Sequence, residues 1–189
     1  AGVLAIAVAR ARPDASVLGC DISPDLVDVA RVRSDNVPNL RIIEGDASRL
    51  LPPMAPDLLI SRHGVMFFDN PVTAFAHLAQ ISHSGARLIF SSFRGQEDNL
   101  WASEIATVMA NPYPSPPPPY YVPGPFAFRD PAFVRQVLAS GGWTDINFEP
   151  VAFRYIAGRG DDPVSDAMAF FSRIGPMAAQ LRTLDSDVR

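Results

Sequence analysis

The chain has 189 residues and a net charge of −4, which suits one domain with a substantial core. Its sixteen basic residues are all arginine and form no run, so nucleic acid is not an expected partner. The absence of lysine excludes a P-loop, a pyridoxal Schiff base and the Tyr-x-x-x-Lys pair of many reductases. A single cysteine forms no internal disulfide, and no stretch approaches the ~20 apolar residues of a membrane helix. We expect a cytoplasmic protein without membrane contact.

Short apolar runs alternate with helical patterns along the chain. Strands are predicted at residues 16–21, 40–44, 57–61, 86–92 and 143–149, and helices at 3–12, 24–33, 71–81, 100–110, 131–140 and 167–184. The run at 57–61 is almost wholly apolar, as expected for a strand that is buried on both faces of a parallel sheet. Alternating strands and helices at this spacing predict parallel strands with right-handed crossovers. The expected fold class is therefore α/β.

Two aspartates follow strands of the predicted sheet. Asp21 ends the first apolar run, and Asp46 lies in the turn after the second. In open α/β sheets, a carboxylate about 20 residues after a glycine turn accepts hydrogen bonds from sugar hydroxyls, and Asp21 lies at that distance from Gly2. Ionised carboxylates suit a ligand that offers hydroxyl and amino hydrogens or carries positive charge. The alternative interpretation of both residues is a plain turn role.

Five segments resemble, in order, the motifs of the class I S-adenosylmethionine-dependent methyltransferases, within them the small-molecule enzymes of bacterial type. These segments are Ala1-Gly2, residues 17–23, Gly45-Asp46-Ala47, residues 56–68 and residues 83–88. The resemblance implies a Rossmann-like, doubly wound fold with a mainly parallel sheet, helices on both faces and S-adenosylmethionine as cofactor. The family's turn into the fifth strand usually carries two adjacent glycines, and here only Gly85 remains.

The same resemblance implies which residues contact the cofactor: Ala1, Gly2, Asp21, Ile22, Asp46, Ala47 and Ser61. Asp21 would hold the ribose hydroxyls, and Asp46 would accept from the adenine amino group. His63 is the candidate catalytic residue, either as a base for a hydroxyl acceptor or as a side chain that only packs against the cofactor. His77 and His83 are expected to be structural. We expect no metal site, and methyl transfer needs no base because the sulfonium is already activated.

The middle of the chain changes in character after residue 95. We predict three parts: a Rossmann-like core at 1–95, a proline- and aromatic-rich lid at 96–129, and the C-terminal part of the same domain at 130–189. The prolines of the second part cannot continue a helix or donate to a strand ladder. The alternatives to a lid are a plain linker and a ligand for a proline-recognising domain. As a lid, this part would cover the acceptor with the aromatic side chains of Trp101, Tyr113, Tyr120, Tyr121 and Phe126.

The resemblance also implies that parts of the family's domain lie outside this chain. The first strand, with the acidic residue and two glycines of the opening motif, would precede Ala1, and no run after Gly158 resembles the closing antiparallel strand. A central strand satisfies backbone groups on both of its neighbours. We therefore expect a fragment that is poorly folded or aggregation-prone when expressed alone and that lacks measurable cofactor affinity.

The predicted function is methyl transfer from S-adenosylmethionine to a small, hydrophobic acceptor, at oxygen or carbon. Two alternatives remain: an NAD(P)-dependent oxidoreductase with a catalytic set that lacks lysine, and a non-catalytic remnant that binds nucleoside ligands. The sequence does not decide the oligomeric state or the acceptor.

Overall fold

A computed structural model describes residues 1–108, 120–154 and 156–172 of the chain. Helices and strands alternate through its first half, as predicted. In chain order the elements are α1 (Val3–Ala11), β1 (Val17–Asp21), α2 (Pro24–Ser34), β2 (Leu40–Glu44), β3 (Leu58–Arg62), α3 (Pro71–Ile81), β4 (Arg87–Ser91), α4 (Leu100–Val108), α5 (Pro131–Ser140) and α6 (Pro163–Phe171). Short 3₁₀ turns lie at Val65–Phe67 and Gln96–Asp98.

The four strands form two parallel pairs, β1 with β2 and β3 with β4. Each pair is joined by a crossover helix, α2 in the first and α3 in the second, as parallel pairing requires. Across the described residues, each pair is a two-stranded sheet of its own. The predicted α/β class with parallel strands is confirmed. The register brings Asp21 opposite Glu44 and Arg62 opposite Ser91, so the carboxyl ends of both strands in a pair coincide.

Helix starts follow the capping chemistry of the sequence. Ser23 accepts the backbone N–H of Leu26 ahead of α2, and Asn70 accepts that of Thr73 ahead of α3. A proline occupies the first position of both helices, where its missing N–H costs nothing. Helix α3 spans the predicted residues 71–81.

Helix α1 packs on the first strand pair. Ile6 and Ala9 form a buried cluster with Val37, against which Val17 and Leu40 pack. Asn39 fastens the turn between α1 and β1, because its side-chain amide donates to carbonyl oxygens at Ala9, Arg12 and Ala15.

Phe75 of α3 is the centre of the packing around the second pair. Its ring is fully buried and lies 5.7 Å from the Phe90 ring of β4, centroid to centroid. Gly141, directly after α5, lies against the backbone of Phe75, and the indole N–H of Trp143 donates to the Phe75 carbonyl at 3.0 Å.

Two expectations about strands were wrong. Residues 143–149 do not form a strand, because Asp145 adopts a left-handed backbone (φ 53°) that interrupts extended pairing. Strand β3 is not buried on both faces: Leu58 and Ile60 are 40% and 38% exposed. Apolar sequence alone did not reveal that, in the described part of the chain, only one face of this pair is covered.

The chain divides into two compact units. The first comprises Ala1–Ser92 and Ala132–Ile146 and contains all four strands. The second comprises the described parts of Phe93–Pro131 and Asn147–Arg189. The division at 1–95, 96–129 and 130–189 remains a prediction. None of the helices in the described ranges is both long and apolar enough to cross a bilayer.

Candidate functional site

The carboxyl ends of β1 and β2 carry the two predicted acceptors. The backbone N–H of Gly45 donates to the Asp21 carbonyl at 2.9 Å, which extends the parallel ladder one residue beyond β2. Asp46 follows directly, so that its side chain and that of Asp21 belong to the same edge of one strand pair. The structure therefore brings together the two carboxylates that the sequence singled out.

Asp21 has one oxygen engaged and one available. Its Oδ1 accepts the backbone N–H of Ser23 at 3.0 Å and so shapes the turn into α2. Within the described residues, no hydrogen bond reaches its Oδ2. Asp21 therefore has the turn role that was the alternative to a ligand role, but this role uses only one of its two carboxylate oxygens.

Asp46 is held in a tight turn of its own. Its Oδ1 accepts the backbone N–H of Ser48 at 2.9 Å and the Ser48 hydroxyl at 2.7 Å, and Arg49 Nε lies 3.7 Å from Oδ2. These hydrogen bonds from Ser48 are the main reason why the pKa of Asp46 is lowered. The group is thus an ionised acceptor at neutral pH, as an amino or cationic ligand requires.

Cys20 connects the two turns. Its Sγ donates to the Gly45 carbonyl at 3.1 Å. Burial, followed by the neighbouring charges of Asp21 and Asp46, raises the pKa of the thiol. Cys20 therefore remains a neutral, half-buried packing residue with a weak donor.

The other predicted cofactor contacts lie at different places in the first unit. Gly2 has a left-handed backbone (φ 73°) and lies against Ala30 of α2; an added Cβ would be 2.8 Å from the Ala30 Cβ. In the described part of the chain, no hydrogen bond connects Gly2 with Asp21 or Asp46. Ile22 is 71% exposed beside Asp21, an apolar surface open to a flat ring. The cofactor contacts of Ala1, Ala47 and Ser61 remain predictions.

His63 lies at the carboxyl end of β3, in the other strand pair. Its backbone is left-handed (φ 54°), and its backbone N–H donates to the Ser91 carbonyl at 3.0 Å. Burial, and then the adjacent Arg62 charge, lowers the pKa of its imidazole. A half-buried, neutral imidazole in an uncommon backbone conformation at a strand end fits a functional position. Its role as a base remains a prediction.

The second unit groups aromatic rings around Trp101, one of the predicted acceptor contacts. The indole stacks on Phe126 and Phe171, each with a centroid distance of 5.9 Å, and lies 5.5 Å from Phe93. Tyr120 is exposed, whereas Tyr121 packs on the buried Phe128. Tyr113 lies outside the described residues.

One contact near the site could not be predicted from the sequence. His77 of α3 was expected to be structural, and its Nε2 lies 2.8 Å from the Leu50 carbonyl, in the loop that carries Asp46. Only the fold shows this, because the two residues are 27 positions apart in the chain.

The fold is an α/β domain with two carboxylates at the carboxyl ends of one parallel strand pair. A family model described as "Methyltransferase domain" matches residues 1–90. This part of the chain belongs to the class I S-adenosylmethionine-dependent methyltransferases, and the family prediction from the motifs is confirmed. The methyl donor of this family is S-adenosylmethionine, as predicted.

Two curated relatives are malonyl-(acyl-carrier protein) O-methyltransferases. The protein from Ilyobacter polytropus is 27% identical over 92 residues, which cover 49% of this chain and 34% of the relative. The protein from Hahella chejuensis is 27% identical over 84 residues, which cover 44% and 30%. The alignments thus span about a third of each relative. A solved structure named StiE O-MT, residues 961-1257, aligns with a TM-score of 0.46 and 19% identity, over 49% of this chain and 34% of that one.

Proposed function

We propose that this chain supplies the cofactor-binding part of an S-adenosylmethionine-dependent methyltransferase that acts on a small, hydrophobic acceptor. The observation that carries the proposal is the pair of ionisable acceptors, Asp21 and Asp46, at the joined carboxyl ends of β1 and β2. The cofactor supplies an activated methyl group on a sulfonium centre. The protein's task is to hold donor and acceptor in line and to exclude water.

Each carboxylate suits a different part of the donor. The available Oδ2 of Asp21 would accept from ribose hydroxyls, while Oδ1 remains fixed by Ser23. Asp46, kept ionised by Ser48, would accept from the adenine amino group. Negative charge at this edge also attracts a cationic ligand.

Oxygen is favoured over carbon as the acceptor atom. Both curated relatives are O-methyltransferases by name. A hydroxyl acceptor loses its proton as the new bond to the methyl carbon forms and the bond from sulfur to that carbon breaks. A neutral His63, whose pKa is lowered by burial, is the group that would take this proton. Support for a hydrophobic acceptor comes from the composition of residues 96–129, which are rich in aromatic side chains.

Calorimetric titration of the natural gene product that contains this chain, with S-adenosylhomocysteine, tests the donor. Transfer of a labelled methyl group to hydrophobic and to polar hydroxyl compounds tests the acceptor. We expect micromolar binding and faster transfer to the hydrophobic set. Binding of NADPH but not of S-adenosylhomocysteine would instead support the oxidoreductase. Binding of S-adenosylhomocysteine without methyl transfer to any acceptor would support a nucleoside-binding remnant.

A further inference from the structure

The turn that carries Asp46 is fastened at both ends. At its start, the Gly45 carbonyl accepts from the Cys20 thiol of β1. In its middle, the Asp46 carbonyl accepts the backbone N–H of Arg49 at 3.0 Å. At its end, the Leu50 carbonyl lies 2.8 Å from His77 Nε2. A carbonyl oxygen only accepts, so Nε2 carries the hydrogen and His77 is the donor.

Helix α3 provides a rigid base for this donor. Its buried face, which includes Ala74, Phe75 and Leu78, is part of the core, and its start is capped by Asn70. His77 is half-buried on a different face of the same helix. The Leu50 side chain folds back over the start of the turn, since an added Cβ on Gly45 would meet its Cδ1 at 3.8 Å. The hydrogen bond from His77 thus ties a whole turn, rather than a loose loop, to the core.

We propose that His77 is a positioning residue for adenine recognition: by holding the Leu50 carbonyl, it fixes the turn in which Asp46 meets the amino group of the cofactor. This inference rests on the proposed function. The electrostatics agree with the geometry, because the pKa of Asp46 is lowered first by Ser48 and, to a smaller extent, by charge on Arg49 and His77.

A purely structural fastening of α3 is the competing explanation, and ligand chemistry separates the two. S-adenosylhomocysteine offers an amino group to Asp46, whereas its inosine analogue presents a carbonyl oxygen at the same place. A displaced Asp46 turn weakens binding of the adenine ligand but has little effect on the inosine ligand. A general loss of folding weakens both.

The experiment measures both dissociation constants by calorimetry in the natural gene product. His77→Phe removes the donor at similar size, and His77→Gln keeps a side-chain N–H in reach of Leu50. His83→Phe is the matched control, because the His83 side chain is exposed and makes no hydrogen bond with the described residues. Thermal melting without ligand accompanies each variant.

We expect His77→Phe to weaken binding of S-adenosylhomocysteine about threefold to tenfold, the effect of one lost hydrogen bond, with less than about twofold change for the inosine analogue. His77→Gln should restore most of the preference for adenine, and His83→Phe should leave it unchanged. The inference is overturned if His77→Phe keeps the wild-type preference for S-adenosylhomocysteine over the inosine analogue. It is also overturned if the variant loses affinity for both ligands equally and has a lower melting temperature. If the wild-type protein binds neither ligand, the proposed function itself fails.

Discussion

The two parallel strand pairs are built from similar apolar sequences but are covered differently. Every residue of β1 is half-buried, with α1 and α2 packed on it, whereas β3 and β4 alternate between half-buried and exposed residues. Phe75 packs against Phe90 on one face of the second pair. On the other face, Leu58, Ile60 and Ile89 are exposed in the described part of the chain.

The strand ends differ as well. The first pair ends in two carboxylates, each with one oxygen fixed by a serine two positions later. The second pair ends in His63, whose backbone is left-handed. The carboxylate edge of the first pair is thus organised by local hydrogen bonds, while the end of the second pair has an uncommon backbone conformation. The proposed cofactor contacts of Asp21 and Asp46 both belong to the first pair.

Substitution of Asp21 tests that assignment with the largest expected effect. Asp21→Ala in the natural gene product removes charge-assisted acceptors and should weaken binding of S-adenosylhomocysteine by about 2–4 kcal/mol. Asp21→Asn keeps an oxygen for the Ser23 N–H but loses the charge and the second acceptor, so it should weaken binding nearly as much. Isothermal titration measures both.

Asp28→Ala is the control for Asp21, because among the described residues Asp28 forms only an exposed ion pair with Arg31. Its affinity should equal that of the wild type. Wild-type affinity in Asp21→Asn would contradict the assignment and leave Asp21 with its turn role alone.

Coverage of the first pair by α1 depends on Gly2. Gly2→Ala places a side chain in a left-handed backbone and 2.8 Å from the Ala30 Cβ, so it should lower the free energy of unfolding by about 2–3 kcal/mol. Gly85→Ala, in the turn before β4, has the same backbone strain (φ 79°) but open space around it. It should cost only about 1 kcal/mol. Urea unfolding of both variants gives the difference, and equal losses would contradict close packing of Gly2 on α2.

His63 allows a corresponding test at the second pair. Asparagine tolerates a left-handed backbone better than a β-branched residue does, so His63→Val should be about 1 kcal/mol less stable than His63→Asn. The same two substitutions at His83 are the control, since that residue does not have a positive φ. Urea unfolding measures all four. Equal stability of the two His63 variants would show that no backbone strain is present at the end of β3.

Local patterns in the sequence predicted the elements of the first unit well. The helical pattern at residues 71–81 predicted α3, and short apolar runs marked β1 to β4. The positions of Asp21 and Asp46 at strand ends followed from the same runs, because strand ends are local features. The failure at residues 143–149 has a local cause too, since a left-handed Asp145 cannot be read from alternating polarity.

Contacts between residues that are far apart in the chain could not be predicted from the sequence. The exposed face of β3 depends on what packs there, and an apolar run has the same appearance whether it is covered on one face or two. The hydrogen bond from His77 to Leu50 requires α3 to approach the loop after β2. In the described part of the second unit, Trp101 packs on rings from residues far along the chain, among them Phe171. Composition indicated an aromatic region but not its partners.

The smallest predicted effect concerns Ser48, which fixes Asp46 at the first pair. Ser48→Ala removes the hydroxyl donor but keeps the backbone N–H bond to Oδ1. The pKa of Asp46 is lowered in the folded state, so its contribution to stability is present above the unfolded-state pKa and is lost as pH falls through the folded-state pKa. Ser48→Ala should therefore raise that pKa and reduce stability by less than about 1 kcal/mol at neutral pH.

The difference in stability between Ser48→Ala and the wild type should shrink as the solution is acidified below the pKa of Asp46. Chemical unfolding at a series of pH values measures this. Ser165→Ala removes the similar hydroxyl bond to Asp162, whose pKa is also lowered by Ser165, so it should show a stability loss that shrinks in acid in the same way. A stability difference that is constant at every pH would show that Ser48 acts without the charge of Asp46.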